Sequence, residues 1–206
     1  MPASPTPLRF PACAAAVVVA VTAWSVHKPH DFFTWLLEAT PVLIVLPVLA
    51  LTYGRFRFTN FLYFLIALHC IVLLVGGHYT YARVPLFDYI RDAYGLSRNH
   101  YDRVGHIFQG FVPALAGREI LLRTSAMKRG LWLSLLLFLG CLGISALYEV
   151  VEWVVAALTG TAADSFLGAQ GDVWDSQKDM FFAGAGAGMA LLLFPRLHDR
   201  FLRQVA

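Results

Sequence analysis

The chain has 206 residues, 58% hydrophobic and 14% charged, with a net charge of +3; soluble domains run at roughly 45–50% and about 25%. Mean hydropathy is +0.63. These values exclude a disordered chain, a disulfide-stapled mini-protein and an ordinary cytosolic enzyme, and they leave a multi-pass membrane protein whose apolar surface is covered by lipid.

Six apolar runs follow in order, at roughly 10–27, 33–54, 57–77, 103–122, 131–157 and 177–195. A span takes about 20 residues at 1.5 Å each. Runs of this length without strand-like alternation predict helices, because lipid leaves no other partner for the backbone. The expected fold is all-α, a single integral membrane domain over 1–206 with six transmembrane helices. The first run carries one arginine, an alanine-valine core and a Val21-Thr22-Ala23 string that a signal peptidase could accept; we expect it to be retained as a helix. The second carries Glu38, Pro41 and Pro47, and the third a lone His69, expected to be a packed polar contact. The fourth is interrupted by His106, Arg118 and Glu119; the fifth bears Glu149 and Glu152; the sixth opens at Asp179 and contains a Gly184–Gly188 GxxxG pattern, expected to pack closely on a neighbour. Tryptophans lie near several run ends, where aromatic anchors belong. Cys13, Cys70 and Cys141 each fall within an apolar run and read as small apolar filler. His27, His30 and His198 read as interfacial.

Orientation follows from lysine and arginine. One set of helix ends carries ten of them, from Arg9 through Arg55, Arg57, Arg118, Arg123, Lys128 and Arg129 to Arg196, Arg200 and Arg203, with only Glu119 and Asp199 as acids. The other set carries six basic residues and eleven acidic ones. The basic side is expected to face the cytoplasm, with both termini inside. That segregation removes the case for nucleic-acid binding. Two long outer loops result, about 78–102 and 158–176, rich in Gly, Asp, Tyr or Trp; structured loops of that length are more often functional than linkers.

Ionisable groups within spans are costly and usually functional. Counted from the inner helix ends, Glu38, His106, Glu149 and Asp179 all fall about 24–27 Å out, in a hydrocarbon core about 30 Å thick. Four helices thus bring an acid or imidazole to one level beneath the outer surface. Spacing within helices agrees: Asp102 and His106 are i, i+4, with Asn99 and Gln109 extending their face; Glu149 and Glu152 are i, i+3; Asp172, Asp175 and Asp179 share a stripe. Such a layer suits a divalent metal, with oxygen ligands favouring Mg²⁺, Mn²⁺ or Ca²⁺ and histidine adding Zn²⁺ or Fe²⁺. The expected ligands are His100, His106, Glu149, Asp172, Asp175 and Asp179. Glu152 is the expected general base, Arg98 or Arg103 the holder of an anionic headgroup, and Glu38, Asn99, Asp102 and Gln109 the supporting groups. The function this favours is a metal-dependent enzyme acting on a lipid or lipid-linked group at the outer face. A membrane scaffold or partner subunit is the alternative, in which capping and ion pairing explain the same residues; a cation or proton transporter is another, although the inner half of each span is nearly free of acids.

The strings RNHYDRVGHIFQGF (98–111), YEVVEW (148–153) and FLGAQGDVWDSQKDM (166–180) resemble the YjdF-like bacterial inner-membrane proteins, a domain of unknown function, over about 10–200. The resemblance implies an inner-membrane protein of several helices and supplies no activity. A shorter likeness lies within it. Asp172, Asp175 and Asp179 have the DxxDxxxD spacing of UbiA-type prenyltransferases, which bind Mg²⁺ and pyrophosphate, but Gly171 stands where those proteins have asparagine and no second copy follows.

Overall fold

In the computed structural model, residues 8–160, 166 and 169–205 are described, and helix is the regular structure they form. The elements are α1 (Arg9–Ser25), α2 (Phe32–Thr52), α3 (Asn60–His78), α4 (Pro85–Tyr94), α5 (Tyr101–Thr124), α6 (Leu131–Thr159), α7 (Asp175–Leu193) and α8 (Pro195–Leu202). Local chemistry sets several of these boundaries. Asp31 caps α2 by accepting from the Thr34 N–H at 2.6 Å, and Thr59 caps α3 by accepting from the Leu62 N–H at 3.2 Å. Pro195, which cannot continue the helical hydrogen bonds, separates α7 from α8, and the pair bends by 64°.

Among the described residues, α2, α3 and α6 are each long and apolar enough to cross a membrane, and α7 with α8 passes as a fourth, bent span. α1 is a shorter apolar helix of 17 residues. α5 is long enough but not among these spans, being rich in polar and charged side chains, and the packing explains why its charges are tolerated. It lies against α3, α6 and α7, and its Arg103, His106, Arg118 and Glu119 are buried. Ionisable groups in a membrane bundle face its interior.

Two apolar clusters hold the helices together. Leu62 and Leu65 of α3, Val112 and Leu115 of α5, Leu133 and Leu137 of α6, and Leu191 of α7 form the larger. Val18, Trp35, Val42 and Leu74 join α1, α2 and α3. Cys70 and Cys141 sit inside these clusters as free thiols, while Cys13 is exposed. Between helices in lipid, close packing does what water-driven burial does elsewhere. The closest approach joins α5 to α7. A Cβ added at Gly110 would lie 1.8 Å from the Ala183 carbonyl oxygen, and one at Gly186 would lie 2.1 Å from that of Ile107. The expected GxxxG pair is not this crossing. A Cβ at Gly184 would meet α6 instead, a Leu142 methyl at 3.1 Å and the Phe138 ring at 3.7 Å, and one at Gly188 would meet nothing within 4 Å. The glycine midway between them, Gly186, is the one that faces α5.

The first long connection is not a bare loop. It contains α4, which begins on Pro85 at its first turn and ends on Gly95 in the left-handed conformation. In the second connection, residues 161–165 and 167–168 lie outside the described residues.

Candidate functional site

The first two turns of α5 carry the centre of the acidic end of the bundle. Asp102 and His106 share a face through their i, i+4 spacing, and α7 brings Asp179 against them. His106 Nε2 lies 3.3 Å from Asp102 Oδ1 and 3.4 Å from Asp179 Oδ1. One donor atom from each of the three residues falls within 4.8 Å of the others, a spacing that could hold a metal ion. His106 Nδ1 lies 2.8 Å from Gln109 Oε1, one turn along. An Nδ1–H donated there leaves Nε2 directed at the two carboxylates, the arrangement in which an imidazole ligates a cation with its other nitrogen held by a neighbour.

The same carboxylates are braced by arginine. Arg103 donates to Asp179 and Asp175, and Arg98 donates to Asp175 and, at 3.3 Å, to the Ala169 carbonyl. Asp172 lies 3.5–3.6 Å from both guanidinium groups. It also accepts from Lys178 Nζ at 2.6 Å and from the Trp174 N–H at 3.1 Å. The Lys178 hydrogen bond holds the Asp172 carboxyl below the usual aspartate range. Asn99 and Gln170 clip the two long connections together: the Asn99 N–H donates to Gln170 Oε1 at 2.9 Å, and Gln170 Nε2 donates to the Asn99 carbonyl at 3.0 Å. Asn99 Nδ2 also reaches Asp88 of α4 at 3.0 Å.

The expected ligands therefore separate into groups. His106 and Asp179 converge, and the third member is Asp102, which the sequence suggests only as a supporting group. Asp172 and Asp175 face arginine. His100 precedes α5 as its N-cap residue, outside the triad. Glu149 is buried on α6, also outside the triad, and its Oε1 has no hydrogen-bond partner among the described residues; Ser145 Oγ, one turn below, has none either. Arg98 and Arg103, expected to meet an anionic headgroup, are both turned onto aspartates.

Beside the triad lies a cleft lined at its polar end by Glu38, Asp102, His106, Gln109 and Glu152, together with the tyrosines 81 and 148. The Tyr148 hydroxyl donates to Glu38 Oε2 at 3.3 Å, linking α6 to α2. The Tyr81 ring lies over bare glycine: a Cβ at Gly76 or Gly105 would come within 2.3 or 3.0 Å of it. Neither tyrosine stands out in the sequence by charge. Tyr148 is legible as the i, i−4 neighbour of Glu152, and Tyr81 has no local signal, since the glycines that make room for it, Gly76 and Gly105, lie on two different helices.

A second buried polar cluster occupies the basic end. Glu119 accepts from the Thr59 N–H at 2.9 Å, the Thr59 hydroxyl at 3.0 Å and Arg123 at 2.7 Å. His198 Nε2 lies 3.2 Å from Glu119, while His198 Nδ1 lies 3.2 Å from Arg118. Arg118 also pairs with Asp199 at 2.8 Å. His198 is thus 0% exposed, not interfacial, because the bend at Pro195 folds α8 back beneath α5.

Comparison with known proteins agrees with a membrane protein. A family described as "Predicted membrane protein (DUF2238)" matches residues 10–200. The chain is 49% identical over 175 residues to the inner membrane protein YjdF of Escherichia coli (strain K12), covering 85% of this chain and 84% of the relative. No solved structure matches. The chain belongs to the DUF2238 family of membrane proteins.

Proposed function

We propose that this is an inner-membrane protein carrying a divalent-metal site at its outer face, where it acts on a lipid or lipid-linked group. α1, α2, α3, α5, α6 and the α7–α8 pair form six crossings, and both termini are cytoplasmic. The excess of lysine and arginine at one set of helix ends supports that orientation, and the name of the E. coli relative supports the compartment. The observation that carries the reading is the convergence of His106 Nε2 with Asp102 and Asp179, with Gln109 on the other imidazole nitrogen. One nitrogen and two carboxylate donors suit Mn²⁺, Fe²⁺ or Zn²⁺ better than Ca²⁺ or Mg²⁺. A metal held by these residues would supply Lewis-acid polarisation of a carbonyl or phosphoryl oxygen or of a water; Glu152, which lines the same cleft, would be the general base.

A purely structural polar layer is favoured by arginine on both carboxylates of the triad: Arg103 pairs with Asp179 and lies 3.6 Å from Asp102, and Arg98 lies 3.7 Å from Asp102. Elemental analysis of protein purified without chelator separates the two readings. The metal reading predicts a stoichiometric transition metal that His106→Ala and Asp179→Asn remove while the protein stays folded. Metal-free wild type, with both variants lost only through lower abundance, contradicts it.

A further inference from the structure

The cleft beside the triad has a shape and a polarity gradient that identify its occupant. It has a volume of about 380 Å³. From the polar end it descends between Val42, Val45 and Leu49 of α2 and Val112 and Ala116 of α5, reaching Phe58 near the basic end. Asp102 and Ala116 both line it, and they are separated by about 21 Å of helix at 1.5 Å per residue. The lower wall is apolar but for two interruptions. His69 of α3 lines it with a buried Nε2 that has no hydrogen-bond partner among the described residues, so it is not the satisfied polar contact expected. Pro113 cannot donate to the Gln109 carbonyl and so leaves that acceptor without its helical partner beside the cleft.

The cleft also opens sideways. α2 packs on α3, and α6 packs on α5 and α7, but α2 and α6 do not pack extensively on each other. Val48 and Ile144, one from each, line the cleft and remain about half exposed. A molecule diffusing in the bilayer can therefore enter along its length, with no passage through water.

The polar end selects the head. Glu38, Asp102 and Glu152 are acceptors when ionised, and no lysine or arginine is among the lining residues. Arg98 and Arg103 do not line it: they sit behind Asp102, 3.7 and 3.6 Å from its Oδ2, and are engaged by Asp175 as well. We infer that the cleft binds a single-chain amphiphile whose head is rich in hydrogen-bond donors and carries no negative charge, with its apolar chain lying between α2, α5 and α6. The inference deepens the proposed function by naming the substrate class, and it rests on that reading only for the cleft's place in the outer half of the bilayer.

Native mass spectrometry of the full chain in detergent micelles tests it, with 1-monooleoylglycerol and sphingosine as probes and dioleoylglycerol and oleoyl lysophosphatidate as comparators. One bound copy of either probe, preferred at least tenfold over both comparators and retained in EDTA, is expected. The stronger probe then tells a hydroxyl head from an amine. Val45→Trp and Ala116→Phe fill the cleft from opposite walls and are expected to weaken binding at least tenfold, while Leu192→Phe on the lipid-facing side of α7 leaves it unchanged. Equal retention of all four lipids, or equal binding by the filled variants, shows bulk lipid and overturns the inference; so does preference for lysophosphatidate. The wild-type comparison stands even if a filled variant fails to fold. Retention of the probe by protein that holds no metal would break the metal reading and leave this one intact, whereas a bound metal with no probe preference would do the reverse.

Discussion

The two ends of the bundle both bury carboxylate, imidazole and guanidinium, yet they are finished differently. At the basic end, Glu119 has partners on α3, α5 and α8, and both His198 nitrogens are engaged. Nothing in that cluster borders the large cleft. At the acidic end, Glu149 Oε1 and Ser145 Oγ are left without partners among the described residues, an imidazole nitrogen faces two carboxylates, and a cleft lined by that imidazole and Asp102 opens beside it. A buried carboxylate whose partners are all supplied by the protein fixes a fold; a carboxylate–imidazole pair that borders a cleft has room for a ligand. The contrast matters because composition alone makes the two look alike.

The largest expected effect breaks the satisfied end. Glu119→Ala strands the buried His198 and Arg118–Arg123 cluster, and removing one partner from a buried charged network costs about 3–5 kcal/mol. Thermal unfolding in detergent is expected to show that loss, with Glu119→Gln retaining more stability because it keeps an acceptor for the Thr59 N–H. Next comes the backbone contact that joins the acidic-end helices. Gly110→Ala places a Cβ against the Ala183 carbonyl, one turn below the level of Asp179, where α7 cannot yield without drawing away from α5. Overpacking of this kind costs about 1–3 kcal/mol or more, and here it is expected to abolish metal binding as well, since it parts His106 from Asp179. Gly188→Ala, with open space around it, is the control and is expected to do neither. The smallest effect belongs to the rim. Lys178 hydrogen-bonds Asp172 and lowers its pKa. A depressed carboxylate contributes stability above its unfolded pKa and loses it as pH falls through its folded one. Lys178→Ala is therefore expected to lower the melting temperature slightly at neutral pH and to have no effect once acid has protonated Asp172.

Particular residues show how far the sequence could be read. The apolar runs that became α2, α3 and α6 were plain, because lipid-facing helices must be apolar over their length. α5 was harder, since its charges obey the bundle interior and not the membrane. The i, i+4 pairing of Asp102 with His106 is legible from helix spacing alone. The partners of the other acids are not: whether Asp175 meets a metal or an arginine depends on the loop path that delivers Arg98, and no spacing rule encodes that path. For the same reason Asp102 outranks Glu149, because rotation of α6 against α5 decides which acid faces His106. The glycine of closest approach was hidden by a more familiar pattern. Helix α4 was hidden by its length, although Pro85 and Gly95 mark its ends.

The most direct test compares melting temperatures of wild type, His106→Gln and Glu119→Gln as Mn²⁺ or Zn²⁺ is added after chelator treatment. A ligand at a hundred times its Kd stabilises the folded state by about 2.7 kcal/mol. The account predicts that wild type and Glu119→Gln both rise with metal, the latter from a lower start, and that His106→Gln does not respond. An equal response from all three, or none from wild type, would contradict it.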